Sequence, residues 1–137
     1  MQVPARILIA LVSMFSYIHS AQVHKKKPVL TPMQQVAKAH HWSAAQVADE
    51  WLVLYRESGS TPKHLNMWAT NGHCLGSGQL SYEENGSYLD AAAVYEHFGG
   101  NYYTAFGQLS ADANYDSQRY GNDPAQAWDH ELEYGWY

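Results

Sequence analysis

The sequence has one cysteine, few charges and no long hydrophobic stretch, and each scarcity removes a class of protein. A single Cys74 among 137 residues forms no internal disulfide and anchors no zinc ribbon, so the fold must rest on its core. A chain of this length can bury such a core in one domain. Only 8 Lys and Arg face 13 Asp and Glu, a net charge of −5, which lacks the basic excess of a nucleic-acid binder. The nearly unbroken apolar run over residues 7–18 falls short of the about 20 residues that a membrane span needs. Metal chemistry finds no pattern among the 8 His. His130-Glu131 lacks the second His of H-E-x-x-H, His40 and His41 are adjacent and face different ways, and His73-Cys74 has no partner pair at ligand spacing. No metal and no other cofactor is expected, and no G-x-S-x-G elbow supports a Ser-His-Asp hydrolase.

What the chain does have is aromatic surface and an address. Its 11 Tyr and 5 Trp suit stacking on flat or ring-shaped ligands as well as filling a core. Residues 1–21 join one positive charge, an apolar run and the small-residue ending His19-Ser20-Ala21, the form of a secretory signal peptide cut after Ala21. No stable membrane anchor would then remain, and the protein would work outside the cytoplasm. Charge divides the rest: residues 22–48 carry +4, and residues 49–137 carry −10. The stretch with Lys25, Lys26 and Lys27 has no apolar periodicity and reads as a basic leader, either a solvated linker or a contact for anionic polymers.

Capping chemistry marks the helices. Thr31-Pro32-Met33-Gln34 predicts a helix over 32–41, and Ser43-Ala44-Ala45-Gln46 predicts another in which Val47, Trp51 and Leu54 recur until Gly59. Residues 60–87 hold Pro62, Asn71-Gly72, Gly76, Gly78 and Asn85-Gly86, which predicts turns with short extended pieces. Further helices are expected from Tyr88 to Phe98 with Ser87 as cap, from Ser110 to Gly121, and from Pro124 to Gly135 with Ala125, Trp128 and Leu132 on one face. Trp51, Trp128 and Trp136 are assigned to the core. The expected class is mainly α, a small helical domain with one long irregular loop after its best helix.

Chemistry is expected where that helix meets the loop. Glu57 stands in the last helical turn, beside Arg56 and before Ser58-Gly59. The negative end of the helix dipole and burial under aromatic side chains would both raise its pKa, which suits a general acid. An ordinary exposed glutamate on a frayed end is the plain alternative.

Arg56-Glu57-Ser58-Gly59 resembles the R-E-S-G motif of the lysozyme-like superfamily, which includes soluble lytic transglycosylases and resuscitation-promoting factors. Asn66, Asn71-Gly72 and Gly76-Ser77-Gly78-Gln79 are similar to the Asn-containing stretch and G-x-x-Q segment that follow it. Arg119-Tyr120-Gly121, Ala125 to Trp128 and Tyr134-Gly135-Trp136-Tyr137 resemble the ending of small exported members, among them the aggregation-promoting factors. The likeness spans residues 43–137, and it divides the chain into a signal peptide (1–21), a basic leader with a short helix (22–42) and a lysozyme-like α+β domain (43–137) whose loop forms a glycan groove.

The resemblance implies cleavage of the β-1,4 bond between N-acetylmuramic acid and N-acetylglucosamine in peptidoglycan, on the cell wall. Glu57 would protonate the glycosidic oxygen and then act as base. In the transglycosylase form the muramyl 6-hydroxyl attacks C1, so one carboxyl suffices. A hydrolytic muramidase needs a second carboxylate about 5–10 Å away, for which Glu83, Glu84, Asp90 and Asp112 are candidates. Gln79 would support the groove wall or an acetamido group, Asn66 would bond an N-acetyl group, and Tyr82, Tyr102 and Tyr103 would stack on sugar rings. Lys25, Lys26 and Lys27 would meet anionic wall polymers. Small Ser77 and Gly78, where many relatives carry larger residues, imply a more open groove wall. The alternative in another class is a non-catalytic surface or aggregation factor that binds wall glycan.

Overall fold

Two reciprocal capping boxes start the fold. In the computed structural model, which describes residues 27–137, the Gln34 backbone N–H donates to Thr31 Oγ1 at 3.2 Å and the Thr31 N–H donates to Gln34 Oε1 at 2.9 Å. Helix α1, Pro32–His40, follows, and His41 closes it in the left-handed region at φ 58°. Ser43 and Gln46 repeat the exchange for α2, Ala44–Ser58, which ends at Gly59 with φ 73°. The signal-peptide run and Lys25 and Lys26 of the basic leader lie outside the described residues, and Lys27 is exposed.

Two small antiparallel hairpins occupy the predicted loop: β1, Thr70–Asn71, with β2, Cys74–Leu75, and β3, Glu83–Glu84, with β4, Ser87–Tyr88. Asn85 and Gly86 both have positive φ, 52° and 80°, as a two-residue primed turn requires. Ser87 therefore belongs to a strand and caps nothing. Asp90 takes that role, accepting from the Ala93 N–H at 2.9 Å, and α3 is confined to Ala91–His97. His73 stacks on Tyr88 with ring centroids 3.8 Å apart, holding one hairpin to the other.

Helix α4, Ala105–Tyr120, starts five residues before the Ser110 start expected from the sequence, with Thr104 accepting from the Gly107 N–H at 3.0 Å. Ser110 lies inside it and donates to the Phe106 carbonyl at 2.7 Å. α4 is the central element. Leu109 and Ala113 pack with Met33, Val36, Trp42 and Leu54, while Ala111 belongs to a second cluster with Val53, Val94, Tyr95, Ala127 and Tyr137. Each fully buried Val or Leu here contributes about 1.5–3 kcal/mol of hydrophobic stabilisation. Since α1 supplies part of this core, the packed unit includes residues 32–42 and does not begin at 43.

Helix α5, Pro124–Tyr134, packs across α2. Its inner face is Pro124, Ala127 and Glu131, with Trp128 half-buried; Leu132, expected on that face, is 62% exposed. The chain is mainly helical, and no helix of the described residues is long and apolar enough to cross a membrane.

Candidate active site

The end of α2 is held open by its own side chains. Ser58 donates to the Leu54 carbonyl at 3.0 Å and pairs with Ser60 at 2.7 Å, and Asn66 Nδ2 donates to the Ser58 carbonyl at 2.8 Å. The Asn66 N–H also donates to Ser60 Oγ at 2.9 Å. Asn66 thus staples the loop to the helix end, and its amide faces protein rather than the groove. Immediately before Ser58, half-buried Glu57 lies in the wall of a groove of ≈ 510 Å³ shared with Gln79, Tyr82, Arg119 and Trp136. A second hollow of ≈ 440 Å³ reaches the same carboxyl past Arg56, Asn71 and Glu131.

Glu131 defines the electrostatics. It is 3% exposed, and its Oε1 accepts from Arg56 Nε at 3.0 Å. Its Oε2 is buried with no donor. The Glu57 pKa rises from 4.5 to about 7 through burial first, then through the neighbouring Glu131 carboxyl; Arg56 opposes the rise. The cause of the raised pKa is therefore burial and a second carboxyl, rather than the helix dipole and aromatic side chains alone.

Among the sequence candidates, Gln79 and Tyr82 join Glu57 in the groove. Gln79 adopts φ 51° and spends its Nε2 on the Gly76 carbonyl at 2.8 Å, so it shapes the wall from within. Tyr82 stacks on His97, centroids 3.8 Å apart. Tyr102 and Tyr103 do not reach this groove; they line a separate hollow of ≈ 330 Å³ with Glu96 and Asn101, beyond α3. Trp136 leaves the core for the groove wall at 49% exposure. None of the four candidate second carboxylates lines the groove: Glu83 and Glu84 sit on an exposed strand, Asp90 caps α3, and Asp112 is buried.

Comparison with protein-family models, curated proteins and solved structures gives no match.

The small residues of the wall answer to what lies behind it. Ser77 Oγ donates to Asp112 Oδ2 at 2.8 Å and its N–H donates to Gln108 Oε1 at 2.8 Å, while a Cβ at Gly78 would collide with the Asp112 carboxyl and the Tyr137 hydroxyl. Ser77 and Gly78 are small to admit α4, so they do not open the groove. Behind them Glu50, Asp112 and Asp116 are buried together, and Glu50 and Asp116 have no donors. Burial raises all three pKa values, and the charge of a neighbouring carboxyl in the cluster raises each of them further. No group of three or more His, Cys, Asp and Glu among the described residues is arranged to hold a metal ion.

Proposed function

We propose that this protein is an exported enzyme that cleaves peptidoglycan glycan strands with Glu57 as its single catalytic acid, in the manner of a lytic transglycosylase with a lysozyme-like fold. The observation that carries the reading is a carboxyl that keeps its proton to about pH 7 in the wall of an open groove. A general acid works best with a pKa near the operating pH, and the chain supplies that here by burial and a paired carboxylate.

Glu57 donates its proton to the glycosidic oxygen as the bond from the muramyl C1 breaks. The resulting carboxylate takes the proton of the muramyl 6-hydroxyl as that oxygen bonds to C1, leaving a 1,6-anhydro sugar and a protonated Glu57. No water and no second carboxylate enters. Glu131 does not fill the hydrolytic role, because it does not line the groove that holds Glu57, where a hydrolase's second carboxylate would face the attacking water. It is also buried and engaged by Arg56. The signal-peptide form of residues 1–21 supports action on the wall outside the cytoplasm.

Peptidoglycan sacculi incubated with the wild-type protein and with Glu57→Gln test this reading by mass spectrometry of the released fragments. Anhydro-muropeptides from the wild type alone are expected. Reducing ends from the wild type would replace the transglycosylase with a hydrolase, and release by both proteins would remove Glu57 from catalysis. Sacculi bound but uncut by either would leave a wall-binding surface factor.

A further inference from the structure

The groove that holds Glu57 also holds a cation with no ion-pair partner among the described residues. Arg119 stands in the last turn of α4, where its guanidinium lies 4.6 Å from the Trp136 ring centroid and 5.7 Å from those of Tyr115 and Tyr120. Nη1 donates to the Tyr115 hydroxyl at 2.9 Å, and that hydroxyl donates in turn to the Tyr137 carbonyl at 3.0 Å. Three aromatic faces and one hydrogen bond thus fix the position of a flexible side chain. No carboxylate pairs with it; Arg56–Glu131 is the ion pair among the described residues. Arginine presents five N–H donors in a planar fork that matches a carboxylate, and only one is engaged here.

We propose that Arg119 is a specificity residue that binds a carboxylate carried by the glycan strand, so that the groove selects acid-substituted sugars over neutral ones. This rests on the peptidoglycan reading and names the substrate feature recognised. Burial raises the Glu57 pKa to about 7, which lowers its charge beside Arg119, and Glu83 and Glu84 lie on an exposed strand outside the groove. Two carboxylates on such a strand share this chemistry: the lactyl acid of a sugar without its peptide, and the free acids of a stem peptide.

Binding is measured by calorimetry in the Glu57→Gln protein, which leaves the ligand intact, with and without Arg119→Gln. The ligands are strands bearing stem peptides, strands stripped to the lactyl acid, and neutral N-acetylglucosamine oligomers. Loss of Arg119 is expected to weaken an anionic strand about tenfold, since a hydrogen-bonded charge contributes on that order, and to leave the neutral oligomer within about twofold. Arg119→Lys recovers part of the loss, and whichever anionic strand is affected identifies the source of the carboxylate. Equal weakening of all three ligands would show that Arg119 only props the aromatic wall, and unchanged affinity for all would show that it binds nothing; either overturns the proposal alone. If the Glu57→Gln protein binds no strand at all, the peptidoglycan reading falls with it.

Discussion

Replacing Glu131 with glutamine tests whether the buried carboxyl pair sets the working pH. The exchange is nearly isosteric: the new amide oxygen can still accept from Arg56, and its NH2 can donate to Glu57. Both the lost charge and the gained donor favour ionised Glu57, so its pKa falls. Two charges about 4 Å apart interact by about 4 kcal/mol at a protein-like dielectric of about 20. Arg56, 3.0 Å from Glu131, cancels much of that field, and half-exposure of Glu57 screens more. About 1.4 kcal/mol remains, which is about one pKa unit. Glu57 then moves from about 7 to roughly 6, with burial still holding it above 4.5. Cleavage needs the protonated acid, so the alkaline limb of kcat/KM shifts down by the same amount. Muropeptide release at about pH 8 should fall about ninefold, and at about pH 5 by no more than about a tenth. A uniform loss at every pH, or a limb that does not move in a variant with native circular dichroism, would refute the carboxyl-pair account.

Gly78→Ala should destabilise the fold by about 1–3 kcal/mol in urea unfolding, because the new methyl meets the Asp112 carboxyl and the Tyr137 hydroxyl inside a packed wall. Asp116→Asn should stabilise the protein by about 4 kcal/mol above neutral pH and leave it nearly unchanged near pH 4. The sign follows from a pKa raised from 3.8 to about 7 by burial, with help from the Asp112 charge: the unfolded chain loses its proton first, so stability falls as pH rises between those values. Denaturant midpoints measured across that range check it, and a variant weaker at every pH would refute it.

The helix starts that were legible in the sequence are those in which a side chain and the backbone exchange hydrogen bonds locally. Thr31 with Gln34, Ser43 with Gln46, and Asp123 before Pro124 depend on residues three positions apart or fewer, and they open α1, α2 and α5 as expected. α3 and α4 were misplaced for non-local reasons. Ser87 has the chemistry of a cap, but the Asn85-Gly86 turn commits it to a hairpin. α4 shows no apolar stripe because it is enclosed by other elements and buries Gly107, Gln108, Asp112 and Asp116 along with its alanines. Gln108 explains the pattern: it donates to the Met67 and Tyr102 carbonyls at 3.0 and 2.7 Å and accepts from Ser77, tying three loop segments to one helix. A polar residue used this way cannot be distinguished from a solvent-facing one by periodicity.

The same limit divides the site. Glu57 was legible because a carboxylate in the last turn of a helix is locally unfavourable, and an unfavourable residue invites a reason. Its partner Glu131 was not, because its apolar neighbour Leu132 offered the better helical face. That choice inverts the inside of α5, since the buried position is the one whose charge meets Arg56 across α2. Tyr82, Tyr102 and Tyr103 carry the same chemistry in sequence, yet α3 stands between the first and the other two, and only Tyr82 faces the carboxyl. Arg119 and Trp136 were read as family motif and core clasp, and their packing turns them into one cationic wall. What the sequence hides is therefore pairing across elements. The raised pKa of Glu57 and the fixed position of Arg119 both depend on such pairs, Glu131 with Glu57 in one case and Arg119 with its aromatic rings in the other.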